Sequence, residues 1–150
     1  MTDNLYESKI TDGTYSALMV SEKNREEIFE FCVSQGIQNL VPSDDYHCTI
    51  LYSRTPCNQI SSEDFMLPCN ALPVGYKILG TDEKVLVLEL FCPVAAKLHK
   101  MFIEKHGATH DYPEYIPHIT IAKDFDGEMP IELPDIMIEF DNNVVEKISD

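Results

Sequence analysis

Apolar positions along this chain recur with two periods, and the order in which the periods alternate is itself repeated. TYSALMV (14–20) is short, aromatic and β-branched, and reads as a strand. Residues 22–35 read as a helix, with Ser21 or Asn24 as N-cap and Gly36 as C-cap. His47 then opens a second strand, HCTILY. KVLVLELF (84–91) starts the pattern again as a buried strand. A helix follows from Pro93 to His106, with Val94, Leu98 and Met101/Phe102 as its apolar stripe and Gly107 as its C-cap. His118 opens the strand HITIA. The spacings agree: from cap glycine to histidine, 47 − 36 = 11 and 118 − 107 = 11; from strand start to histidine, 47 − 14 = 33 and 118 − 84 = 34. Flanking strands are expected at 74–80 and 131–140. The segment 53–73, with Pro56, Pro68 and Pro73 among polar residues, reads as the loop joining the halves. The pattern predicts one domain over residues 1–150, of α+β class, with two pseudo-symmetric lobes of sheet and helix facing each other across a central cleft.

Composition narrows the partners. At 150 residues, 44% hydrophobic and 25% charged, the chain is long enough to bury one core without cross-links. It has no apolar run of 18 residues, and its polar, acidic start lacks the features of a signal peptide. A cytoplasmic protein, with no membrane contact and no obligate protein partner, is expected. Cys32, Cys48, Cys57, Cys69 and Cys92 are odd in number and form no C-x-x-C, so they read as reduced core or loop residues. Eleven Lys and Arg face 26 Asp and Glu, a net charge of −15. A long nucleic acid needs many phosphates neutralised and would be repelled. A small phosphate ligand held by a few local donors would not.

The repeat carries the chemistry. Both copies contain H-x-T-I: His47-Cys48-Thr49-Ile50 and His118-Ile119-Thr120-Ile121. Side chains alternate along a strand, so His47 and Thr49 project to one face while Cys48 and Ile50 pack the other, and the second copy does the same. Imidazole has an unperturbed pKa near ~6.5, so one histidine can be a neutral base while its partner is a charged acid. Threonine hydroxyls can donate to non-bridging phosphoryl oxygens. One such motif on a strand means little; two at matched positions make His47, Thr49, His118 and Thr120 the candidate catalytic set. Arg54, five residues after Thr49, and Lys123, three after Thr120, are candidates for local positive charge or for solvated surface. A metal site of His106, His110 and Asp111 can be drawn. However, His99 and His106 lie on one helix, and a histidine at its end commonly serves the cap and dipole. No metal or other cofactor is expected.

GTYSALMV, DDYHCTILYS and YIPHITIAKDF, in this order across essentially the whole chain, resemble the two-histidine phosphoesterase superfamily. Within it they resemble the anti-CBASS proteins of T-even-like phages. The resemblance implies a bilobal fold and metal-independent hydrolysis of cyclic oligonucleotide second messengers, cyclic di- and trinucleotides that trigger antiphage defence. It places catalysis on His47, Thr49, His118 and Thr120. Candidates for holding the bases are Tyr15 and Tyr76, whose rings can stack, and Glu146, whose carboxylate can accept from an exocyclic amine. Two other classes fit the same motifs: an enzyme of this superfamily acting on RNA ends or 2′–5′ oligonucleotides, and a protein that binds the messenger without cutting it.

Overall fold

A computed structural model describes residues 13–57, 60, 64–108 and 114–148, the side chains of His106 and Ile148 excepted. The strands are β1 (Gly13–Val20), β2 (His47–Ser53), β3 (Cys69–Leu79), β4 (Val85–Phe91), β5 (His118–Ala122) and β6 (Ile138–Ile148). The helices are α1 (Glu22–Ser34), between β1 and β2, and α2 (Pro93–His106), between β4 and β5. A short 3-10 turn, Ser43–Asp45, leads into His47.

Every strand pairing is antiparallel, in the order β1-β2-β5-β4-β3-β6, and β6 returns to β1 to close the ring. The ring falls into two halves. β1 is the middle strand of β6-β1-β2, and β4 is the middle strand of β3-β4-β5. The seams between them are thin: Cys48 against Ile119 joins β2 to β5, and Cys69–Ala71 against Ile138–Phe140 joins β3 to β6. This is the expected bilobal repeat, with β1-α1-β2 answered by β4-α2-β5.

Each helix is fixed by its ends and one face. Ser21, not Asn24, is the N-cap of α1, and its hydroxyl accepts from the Asn24 N–H at 3.3 Å. The Asn24 side-chain oxygen accepts from the Glu139 N–H at 2.6 Å and so ties the helix to β6. Ile28 and Cys32 are buried beneath it. Gln35 is the C-cap of α1, and Gly36 follows it in the left-handed region at φ 76°, where a side chain would be strained. α2 begins with Pro93 and ends on Gly107 at φ 67°, as its sequence predicts. Its Leu98 and Phe102 are buried in the common core with Leu18, Ile119 and Phe140, and all five cysteines are buried as well.

The flanking strands depart from the expected bounds. β3 starts at Cys69, inside the segment read as loop. Residues 131–137 are irregular, and the last strand runs from Ile138 to Ile148. Pro130 and Pro134 lack the N–H that a ladder needs, and Ile131 is 95% exposed, so its apolar side chain marks no core strand. The Asp141-Asn142-Asn143 run inside β6 has poor strand propensity and is held by pairing with β1.

Two bulges decide which side chains face the cleft. On β2, Thr49 pairs with Ala17 and Leu51 with Ser16, which leaves Ile50 extra. Strict alternation from His47 would put Leu51 with His47 and Tyr52 in the core; after the bulge Leu51 is buried and Tyr52 is 51% exposed. On β3, Pro73 pairs with Leu90 and Gly75 with Glu89, which leaves Val74 extra. Cys69 and Ala71 are buried on the near side of this bulge. Beyond it the phase is inverted: Lys77 and Leu79 line the cleft, and Tyr76 and Ile78 pack against the core.

Candidate active site

His47 and His118 each stand at the first position of a strand, and the two strands are neighbours. Continued on either side of the Cys48–Ile119 pair, antiparallel pairing sets His47 opposite Thr120 and Thr49 opposite His118. The four motif residues thus occupy one patch on one face, each histidine beside the other copy's threonine. All four are partly exposed, and the intervening Cys48, Ile50, Ile119 and Ile121 are buried.

Both imidazoles are held in the same way. His47 Nδ1 lies 2.5 Å from the Asp45 carbonyl oxygen, and His118 Nδ1 lies 2.9 Å from that of Ile116, in each case two residues upstream. A carbonyl can only accept, so each Nδ1 carries the hydrogen and donates it. That fixes the tautomer and aims Nε2 of each ring away from the backbone, free to take or give a proton. Before His47 the local chain makes this possible, because the 3-10 turn Ser43–Asp45 ends in an extended Tyr46.

The cleft beside this patch has a volume of about 640 Å³, within the usual range of small-ligand sites. Thr49, Lys77, Val87, Glu89, Tyr115 and His118 are among its walls. Tyr15 stands beside His47. Its ring meets that of His47 edge-on, with centroids 6.3 Å apart, and its hydroxyl lies 3.4 Å from Thr49 Oγ1. Burial raises the Tyr15 pKa, the Thr49 hydrogen bond opposes the shift, and the charge of Glu146 adds to it, so the phenol stays an O–H donor. Glu146 is the cross-strand partner of Tyr15, and its carboxylate is exposed.

The structure therefore sets Tyr15 against His47, and Glu146 beside Tyr15 on the next strand. It does not bring Tyr76 to the site. The bulge on β3 turns that side chain to the core side, and its hydroxyl donates to the Glu132 carbonyl at 2.7 Å. Arg54 and Lys123 are exposed beyond the strand ends, and neither lines the cleft. His110, Asp111 and the side chain of His106 lie outside the described residues. Cleft residues that went unseen in the sequence include Tyr52, Lys77, Glu89, Glu114 and Tyr115. Pro73 and Gly75, both poor ladder residues, were the available sign of the bulge that exposes Lys77.

His99 serves the framework. The bulge leaves the Ile50 carbonyl outside the β1–β2 ladder, and His99 Nδ1 donates to it at 2.7 Å. The His99 ring stacks on Tyr115 with centroids 4.1 Å apart. Tyr115 donates its O–H to the Thr49 carbonyl at 2.7 Å, and burial pushes its pKa up, so the donor is permanent. Tyr115→Phe removes one hydrogen bond from the backbone of the threonine that shapes the site. The expected cost is about 1 kcal/mol of stability, read as a lower denaturant midpoint with an unchanged slope. An unchanged midpoint would show that this brace contributes nothing to stability.

With this geometry in view, the family model for "Anti-CBASS protein Acb1" matches residues 12–150. The chain belongs to the Acb1 family. It is 32% identical to the Acb1 protein of Enterobacteria phage T4 over 73% of this chain and 71% of that one. It is 27% identical to the Acb1 protein of Vibrio phage KVP40 over 76% and 74% of the two chains. Among solved structures, E. coli LigT in apo form superposes with a TM-score of 0.61 at 14% identity, covering 92% of this chain and 87% of that one. The fold is that of the two-histidine phosphoesterases. Membership in the Acb1 family makes this an anti-CBASS protein. Among the described residues no helix is long and apolar enough to cross a membrane.

Proposed function

We propose that the chain is a metal-independent phosphodiesterase that hydrolyses cyclic oligonucleotide messengers such as 3′,3′-cyclic GMP-AMP, and so blunts CBASS immunity in the cytoplasm of the infected bacterium. The observation that carries this reading is the matched pair of imidazoles, each with Nδ1 committed to a carbonyl and Nε2 turned outward, beside two threonine hydroxyls. In the proposed reaction one histidine removes the proton of a ribose 2′-OH. That oxygen attacks the adjacent phosphorus in line, and the other histidine protonates the departing 5′-oxygen. Thr49 and Thr120 donate to the phosphoryl oxygens. The product is linear, with a 5′-hydroxyl at one end and a 2′,3′-cyclic phosphate at the other. Water then opens that ring with the acid and base roles exchanged. Tyr15 stacks against a base, and Glu146 accepts from an exocyclic amine.

The net charge of −15 and the small size of the cleft favour a short ligand over long RNA. The test is incubation of the protein with 3′,3′-cyclic GMP-AMP in excess EDTA, followed by chromatography. Linear product is expected. Messenger recovered intact but bound would make the protein a sequestering module. Cleavage that needs added zinc or manganese would overturn the metal-independent mechanism.

A further inference from the structure

A cyclic dinucleotide carries two phosphates on opposite sides of its ring, and the patch of two histidines and two threonines can engage only the one being cut. The other must enter a cleft whose walls include the carboxylates of Glu89 and Glu114. Lys77 is the one Lys or Arg among the described residues that line it. Its place in the sheet is specific. Val87 pairs with Thr120 on one side and with Lys77 on the other, so Thr120, Val87 and Lys77 stand in one row across β5, β4 and β3. Strands are spaced ~4.8 Å apart, which puts the Lys77 backbone roughly 10 Å from that of Thr120. A four-carbon stem carrying a mobile ammonium spans much of that distance toward the patch. The matching position in the other lobe is Val144, which pairs with Ala17 as Lys77 pairs with Val87, so the charge lies on one side only.

We infer that Lys77 binds the second, uncut phosphate of a cyclic oligonucleotide and thereby sets the preference of this site for ligands with more than one phosphate. The assignment rests on the proposed function and deepens it. The cutting patch fixes one phosphate, and the lysine two strands away offers the next one a mobile positive charge on the cleft wall. The acidic surroundings sharpen the effect, since among the described residues that line this wall Glu89 and Glu114 are acidic and Lys77 alone is a lysine or arginine. The sequence pattern conceals the residue, because the β3 bulge is what turns it to the cleft.

The experiment is calorimetry in the His118→Ala background, so that the ligand survives. One series carries Lys77 unchanged, one adds Lys77→Gln and one adds Lys77→Arg. The probes are 3′,3′-cyclic GMP-AMP and the linear dinucleoside monophosphate GpA, which has a single phosphate. Lys77→Gln is expected to weaken binding of the cyclic probe by on the order of tenfold, the worth of one charge-assisted contact. It should leave GpA unchanged, and Lys77→Arg should restore most of the loss. If Lys77→Gln leaves affinity for the cyclic probe unchanged, or weakens both probes equally, the assignment is overturned. Separately, unmutated protein that binds the messenger without cutting it would remove the catalytic reading, while the affinity ratio would still decide Lys77. Protein that binds neither probe would remove both.

Discussion

Alanine at His47 or at His118 lowers turnover of a cyclic dinucleotide by on the order of 10²-fold or more, because each ring has its own proton to move and no neighbour can take over. The geometry makes the two losses similar. Each ring is anchored through Nδ1 and offers Nε2, and each faces a threonine of the other copy. Neither histidine is buried, so truncation leaves no cavity in the core and the variants should fold. Binding of the messenger should largely persist, since stacking and phosphate contacts come from other side chains. Double replacement should cost little more than either single one, because the rings act as a unit. The check is steady-state kinetics beside calorimetry on the same preparations. Normal turnover in either folded variant would sink the acid/base assignment.

The second large effect is on the substrate side. A cyclic dinucleotide with hydrogen in place of each 2′-hydroxyl keeps its ring, bases and phosphates. It is expected to bind in the same cleft and to remain uncut, even at enzyme concentrations that consume the ribose form completely. The nucleophile is missing, and the histidine base has no proton to remove. Thr49 does not substitute. Its hydroxyl lies against the Tyr15 hydroxyl at 3.4 Å, and its cross-strand neighbour is His118, which places it as a phosphate donor rather than an attacking group. Efficient cleavage of the deoxy analogue would mean that water attacks directly.

Much of this fold was legible because it is repeated. The strands opened by His47 and His118 and the two helices lie where the hydrophobic periods place them, and Gly107 caps the second helix as expected, while Gln35 rather than Gly36 caps the first. The shared face of His47, Thr49, His118 and Thr120 was legible too, because two-residue alternation holds within each short motif. The reading faltered at the bulges. One inserted residue inverts every side chain downstream. The β3 bulge turned Tyr76, expected at the site, to the core side and Lys77 to the cleft, and the β2 bulge exposed Tyr52. The last strand was misplaced because its partner, not its composition, makes it a strand. Tyr115 and His99 were missed for a related reason: they serve backbone carbonyls of β2, and nothing in the residues themselves reports a carbonyl freed by a bulge.

The central claim is that a ribose oxygen of the ligand, activated by one histidine, opens the ring while the other histidine releases the leaving group. The most direct measurement is the mass of the first product formed from 3′,3′-cyclic GMP-AMP in excess EDTA, sampled before the reaction is complete. Internal attack adds no atoms. The first product should therefore have the mass of the substrate but the chromatographic behaviour of a linear dinucleotide ending in a 2′,3′-cyclic phosphate, and a species heavier by one water should appear only later. A first product already heavier by one water, with no isobaric intermediate at any time, would contradict the account.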